Sequence, residues 1–344
     1  MAHDWKFARM IGFSALLCTS ASMATAQDDT VYTLRYQASH PSNQAYVTLN
    51  GQGFRDLVEE MSGGRIQFEV YDAGALVSVT GMLEAVDQGV LDISQSWGGF
   101  YTGDVPEADV EVGLPLAWEA PWQAYDAYFN RGLGEVIEEA YESRFNVEWF
   151  PAIISLQYGI ALREDIDSLA DLEGLRIRAI GIYGALAQSL GASAAVIPGA
   201  EIYTALQLGT VDGIVYGTAA IHEQDLQGFL QAMILEPNMN TGVGHWVVNR
   251  DTWNSLPEDL QQVISFAANY GNLAQAMRYT AEETASIPVL EAAGVRMISL
   301  DAADRATMTA AAMEIWDGIA ERSELAGHAV EIVRQQMRDY GRLN

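Results

Sequence analysis

Residues 84–93 read Glu84-Ala85-Val86-Asp87-Gln88-Gly89-Val90-Leu91-Asp92-Ile93, and residues 204–213 read Thr204-Ala205-Leu206-Gln207-Leu208-Gly209-Thr210-Val211-Asp212-Gly213. Both run helix, glycine, two residues, aspartate, strand. The glycine can take the left-handed conformation that ends a helix without a Cβ clash, and the aspartate opens the strand. A match this short can arise by chance. Taken as real, it predicts two similarly built α/β lobes facing one another, with the natural ligand site in the cleft between them, at the carboxyl ends of strands.

The sequence on either side of each corner fits that frame. Upstream of Gly89, a strand over Tyr32–Gln37 precedes a helix with Phe54, Leu57, Val58 and Met61 at i, i+3, i+4 and i+7, which Ser62-Gly63-Gly64 ends. Arg65–Val70 alternates, a helix follows near Thr80–Gln88, and Leu91–Gln95 is the next strand. The second series begins after Phe150-Pro151 with strands at 156–162, 175–180, 195–197 and 213–216 and helices at 169–172, 183–190 and 200–208. From Pro257 the pattern is helical, and Gln261–Ser286 can form one long helix. The expected fold is α/β and two-lobed, with residues 31–154 plus 242–283 in one lobe and 155–241 plus 284–335 in the other.

Composition narrows the function. The 344 residues are 49% hydrophobic and 19% charged, which is a folded globular composition. With 46 acids, 18 basic residues and a formal charge of -28, the chain lacks the basic face that nucleic acid or an anionic membrane surface requires. Residues 1–26 read as a secretory signal: Lys6 and Arg9 lead, Ile11–Leu17 is apolar, and Ala24-Thr25-Ala26 is a cleavage site. The only cysteine, Cys18, and the only lysine, Lys6, leave with it, so cationic chemistry in the mature chain rests on 16 arginines and any protonated histidine. No later segment is apolar enough to insert in a membrane, and the expected compartment is the periplasm.

Catalytic signatures are sparse. Walker, His-Glu-x-x-His, Gly-x-Ser-x-Gly and complete Gly-x-Gly-x-x-Gly sequences are absent, and His40, His222, His245 and His328 have no metal-ligand spacing. Arg178 stands out in Gly174-Leu175-Arg176-Ile177-Arg178-Ala179-Ile180-Gly181, near the end of a short apolar strand and just before a helix. A fixed bidentate cation at that place is the geometric partner of a carboxylate or sulfonate, although an internal salt bridge to one of many acids satisfies the same pattern. Arg176, two residues earlier, reads as a surface charge.

Ser39-His40-Pro41, the 57–65 segment Leu-Val-Glu-Glu-Met-Ser-Gly-Gly-Arg, Gly-Val-Leu-Asp at 89–92, Leu-Glu-Gly-Leu-Arg-Ile-Arg at 172–178, Gly-Thr-Val-Asp-Gly at 209–213 and the 248–260 segment beginning Val-Asn-Arg-Asp-Thr-Trp occur in order. On these six segments the chain resembles the periplasmic solute-binding proteins of TRAP transporters over residues 31–340. The resemblance implies a two-lobed binding-protein fold, a small organic anion as ligand and the membrane permease subunits of a sodium-coupled transporter as partners. It assigns the carboxylate clamp to Arg178. Trp97-Gly98-Gly99-Phe100-Tyr101-Thr102-Gly103 and Pro198-Gly199-Ala200-Glu201-Ile202 look most like the branch that takes 2-oxo and 2-hydroxy acids, which adds Gln157 and Trp97 to the pocket. That branch usually has an acid and a tryptophan after the Val-Asp-Gly strand, the acid ligating a metal that bridges to the substrate. Here Val215-Tyr216 stands there, so no metal or other cofactor is expected, while Tyr216 offers an aromatic wall.

Each candidate has a plainer reading. Trp97 and Tyr216 fit core aromatics, Gln157 fits a satisfied buried amide, and His40 and Asn43 fit a turn. The expectation is a periplasmic receptor that closes on a small oxo, hydroxy or aromatic acid. The alternative is a secreted α/β enzyme acting on such an acid, and turnover separates the two.

Overall fold

Gly89 and Gly209 both take positive φ, 70° and 66°, and three hydrogen bonds around each correspond. Val90 N–H donates to the Ala85 carbonyl at 2.8 Å, and Thr210 N–H to that of Ala205 at 3.0 Å. Asp92 N–H donates to the Arg35 carbonyl and Asp212 N–H to that of Arg176, at 3.0 and 2.7 Å. In return, Asp92 Oδ2 accepts the Arg35 N–H and Asp212 Oδ2 the Arg176 N–H, each at 2.8 Å. The aspartate side chain therefore begins the pairing of a strand with its neighbour, which explains why it sits three residues after the glycine.

This is a computed structural model; it describes residues 30–344 apart from Ala45, residues 154–157, Asn240 and Asn344, and the side chains of Asn272 and Leu273. The secretory segment 1–26 and Gln157 lie outside the described residues. The strands are β1 (Tyr32–Ala38), β2 (Ile66–Tyr71), β3 (Ile93–Ser96), β4 (Val147–Ile153), β5 (Tyr158–Leu162), β6 (Arg176–Arg178), β7 (Ser193–Ala195), β8 (Gly213–Gly217), β9 (Ala232–Glu236), β10 (Val243–Asn249) and β11 (Arg296–Ser299). They form two sheets, in the orders β2-β1-β3-β10-β4 and β11-β9-β5-β8-β6-β7. In the first, β1 is parallel to β2 and β3, and β10 is antiparallel to β3 and β4. Reversed, the second gives the same sequence of relations: β6 is parallel to β7 and β8, and β5 is antiparallel to β8 and β9. Only β11, parallel to β9, extends it.

The helices are α1 (Gly53–Met61), α2 (Met82–Asp87), α3 (Ala108–Glu111), α4 (Pro121–Asn130), α5 (Leu133–Glu142), α6 (Ile182–Ser189), α7 (Ile202–Gln207), α8 (Thr218–Glu223), α9 (Arg250–Ser255), α10 (Glu258–Ala292), α11 (Ala302–Ala320) and α12 (Glu324–Asp339). Expected elements shift by a few residues. The 169–172 segment is a 3-10 turn, and Tyr46–Gln52 winds as a π-helix ahead of α1. Val70 is exposed on β2, the edge strand of its sheet. The long helix is longer than its 261–286 reading and packs on both lobes, against α1, α4 and β4 of the first and α8 of the second. Its Glu283 accepts from Thr218 Oγ1 and from the Ala219 N–H, the latter at 2.9 Å, at the first turn of α8. Near the C-terminus, α11 packs on α6 and α12 on α5.

Candidate functional site

Residues at the ends of β1, β3, β6 and β8 come together: His40, Trp97 and Tyr216 share one cavity and Arg178 lies over Tyr216. His40, Gln44, Tyr46, Trp97, Tyr158, Tyr216, Gly217 and Tyr279 line this cavity of ≈ 20 Å³, room for about one water and therefore a nearly closed cleft. Gln44 Nε2 reaches across from the first lobe to Tyr216 Oη at 2.9 Å, and Gln224 Nε2 donates to the same oxygen at 2.8 Å. Trp97 meets Tyr158 across the cleft with ring centroids 6.2 Å apart, and Tyr158 stacks on Tyr183 at 5.2 Å and 7°.

Arg178 ends β6 and is 3% exposed. Its Cζ lies 5.2 Å above the centroid of the Tyr216 ring. Nε donates to the Ile197 carbonyl at 2.9 Å and Nη1 to that of Val215 at 3.3 Å, so the backbone on both sides fixes the fork. Among the described residues no carboxylate forms an ion pair with it, in a chain where eleven other arginines have one. The salt-bridge alternative is thereby excluded for those residues. Burial lowers the Arg178 pKa, with the neighbouring Tyr216 and Tyr158 acting in the opposite direction. A buried guanidinium is costly to leave unpaired, and the side chain remains a cation, so the chemistry of the site suits an anion.

His40 supports that polarity. Burial, and then the Arg178 charge, push its pKa down to about 3, so the imidazole is neutral. Its Nδ1 lies 2.8 Å from Ser39 Oγ, and its ring meets Tyr46 edge-on at 4.8 Å. A neutral imidazole next to the guanidinium offers a hydrogen bond without repelling the cation or neutralising it. Tyr158 and Tyr216 are likewise held protonated, chiefly by burial.

Arg178, His40, Trp97 and Tyr216 are therefore brought together. Asn43 is exposed and lines none of the described cavities; the next residue, Gln44, occupies the cleft instead. Arg176 is exposed, as expected of a surface charge. Sequence reasoning missed Gln44, Tyr46, Tyr158 and Tyr279. Tyr158 had a signal, as the residue after Gln157 in the expected strand, whereas Tyr279 comes from α10, more than 60 residues beyond its neighbours in the pocket. At the position where the resembling branch places a metal-ligating acid, Val215 is buried and its carbonyl is engaged by Arg178. Among the described residues no group of three or more His, Cys, Asp or Glu side chains is placed to hold an ion.

A family profile described as DctP, bacterial extracellular solute-binding protein, family 7, matches residues 38–323. A monocarboxylate 2-oxoacid-binding periplasmic protein of Nostoc sp. is 29% identical over 249 residues, 70% of this chain and 66% of that protein, just under two thirds of its length. Among solved structures, a TRAP periplasmic solute-binding protein from Chromohalobacter salexigens with bound (S)-(+)-2-amino-1-propanol superposes with a TM-score of 0.80 at 25% identity, covering 90% of this chain and 96% of that one. Another, from Pseudoalteromonas atlantica with bound sodium and pyruvate, gives a TM-score of 0.84 at 21% identity, over 91% of this chain and 95% of that one.

Proposed function

Since the chain belongs to the bacterial extracellular solute-binding proteins of family 7, we propose that it captures a small organic anion in the periplasm and delivers it to the permease subunits of a TRAP transporter. The observation that carries this reading is Arg178: buried, fixed by two backbone carbonyls and without a carboxylate partner among the described residues. The guanidinium fork takes the ligand's carboxylate. His40 supplies a neutral hydrogen-bonding group, and Trp97, Tyr158 and Tyr216 form the aromatic walls. Gln157, outside the described residues, is assigned to the pocket by resemblance alone. The buried guanidinium with its aromatic walls and the 2-oxoacid-binding relative support a short 2-oxo, 2-hydroxy or aromatic acid. Because Val215 brings no carboxylate, binding is proposed to need no cation, unlike the sodium-containing neighbour.

In this reading the protein is a receptor that returns its ligand unchanged and moves by hinge closure of the two sheets with their helices. Mass spectrometry of small molecules released from protein purified without added ligand, followed by thermal-shift screening of short acids with and without sodium at equal ionic strength, tests it. Ligand binding raises the melting temperature by mass action. The expected result is a hit among the acids in both buffers. Failure with carboxylates and sulfonates alike overturns the receptor reading, a strict sodium requirement overturns the cation-free site, and consumption of the ligand selects the enzyme.

A further inference from the structure

Asp109 stands where three parts of the molecule meet. It belongs to α3 of the first lobe and its side chain is 4% exposed. Its Oδ2 accepts from Arg322 Nη1 at 2.5 Å, at the turn between α11 and α12. The neighbouring Glu107, fully buried, accepts from Ser323 Oγ in the same turn and from Arg144. These two acids therefore tie the C-terminal hairpin to α3. The other oxygen, Oδ1, is buried and has no fully formed hydrogen bond among the described residues. It faces the second lobe: a methyl group built on Gly181 would lie 3.1 Å from it and 3.2 Å from Gly99 Cα. Gly181 has φ +55° and immediately precedes α6; burial raises the Asp109 pKa, opposed by Arg322 and, more weakly, by the first N–H of α6, that of Ile182. Tyr183 Oη adds a bond from the same turn to the Gly113 carbonyl in the first lobe, at 3.3 Å.

We propose that Asp109, held by Arg322, is an interlobe latch: its carboxylate receives the first turn of α6 when the cleft shuts and sets how long the cleft stays shut. This rests on the reading of the cleft as a ligand site that opens and closes. A negative charge on a helix N-terminus is favourable, and the close approach of Gly99 and Asp109 to Gly181 exists only with the lobes together. The contact lies just beyond Arg178 in the chain, on the segment that carries the clamp, yet Asp109 does not line the ligand cavity. It is a positioning residue, acting on the lifetime of the closed state and not on the choice of ligand.

Amide hydrogen exchange on the ligand-free chain tests the latch without requiring any ligand. Asp109→Ala is expected to speed exchange at Ile182–Gly184 by about tenfold, the scale of one charge-assisted bond, and Arg322→Gln to give a smaller rise at the same place. Arg322→Gln keeps the test alive if Asp109→Ala does not fold. Unchanged exchange there overturns the proposal, as does a rise spread evenly through the first lobe, which a purely structural carboxylate would give. Stopped-flow tryptophan fluorescence with pyruvate and lactate is the second arm. Release is expected to quicken by the same factor for both acids, with association nearly unchanged. A factor that differs between the two acids would show that Asp109 contacts the ligand and overturns the latch. If neither acid binds, the receptor reading loses support while the exchange result still decides the latch.

Discussion

The corners at Gly89 and Gly209 share their hydrogen bonds, but the strands beside them end differently. Counting from the paired residues Arg35 and Arg176, the position two further on is Gln37 in the first lobe and Arg178 in the second. Both side chains bond to backbone in the loop after the next strand. Gln37 Nε2 donates to the Val77 carbonyl at 2.8 Å while its Oε1 accepts from Leu76 and Val77, at 2.9 and 3.2 Å. Arg178 uses Nε on the Ile197 carbonyl. The repeated scaffold thus offers the same anchoring place twice. The amide is fully used in holding its loop; the guanidinium keeps its charge for something else.

The comparison breaks most sharply if Gln37 and Arg178 behave alike. Arg178→Ala is expected to weaken binding of a short acid by about 2–5 kcal/mol, with Arg178→Lys recovering part, measured by calorimetry. Gln37→Ala is expected to lower the stability to denaturant by about 1–3 kcal/mol while leaving affinity within about twofold, because its loss strands backbone groups and touches no ligand. Equal effects on affinity would mean that position, not charge, makes the site.

The corners themselves come next. Alanine at Gly89 or Gly209 forces a side chain into the left-handed region, and each is expected to cost about 1–2 kcal/mol in denaturant melts. Gly209→Ala should cost the more, since its Cβ would lie 3.0 Å from Arg163 Nη1, against 3.8 Å to Asn249 Nδ2 at Gly89. The reverse order would mean that the two turns are less alike than their bonds.

The smallest effect separates the two aspartates. Asp92 also takes the Arg35 guanidinium, at 2.7 Å, whereas Arg176 forms no ion pair among the described residues. Arg35→Met is expected to cost about 0.2–1 kcal/mol at neutral pH, the guanidinium being 39% exposed, and Arg176→Met nothing measurable. Burial would raise the Asp92 carboxyl pKa, but hydrogen bonds from Arg35 and Thr252 hold it below the usual carboxylate value. The Arg35 contribution is therefore complete above the unfolded-state carboxylate pKa and disappears as pH falls through the lower folded one. Melting curves of both variants from pH 7 to 3 check this.

Much of this frame was legible because glycine, aspartate and short apolar strands leave local marks. β4 and β10 left fewer. Pro151 interrupts the pattern of β4 and is tolerated because β4 is the sheet's edge, and β10 is buried along its whole length, so its sequence has no alternation to read. The site was half legible. A charged residue at a strand end announces itself, but the wall of tyrosines is composed of residues that would suit any core. Among the histidines, His245 is fully buried with Nδ1 2.7 Å from Glu111 Oε1, a pairing 134 residues apart that no spacing rule detects.

Helix α10 has a mechanical consequence. At 35 residues it is a rod about 52 Å long, gripped by α1, α4 and β4 at one end and by α8 at the other. If the two sheets rotate as the proposed hinge closure requires, a rod clamped to both turns that rotation into its own bending or torsion, and part of the work of opening is elastic. Tyr279, a wall of the cavity, is carried on the same rod. In that reading, whatever fills the cavity touches the same rod that the motion would bend.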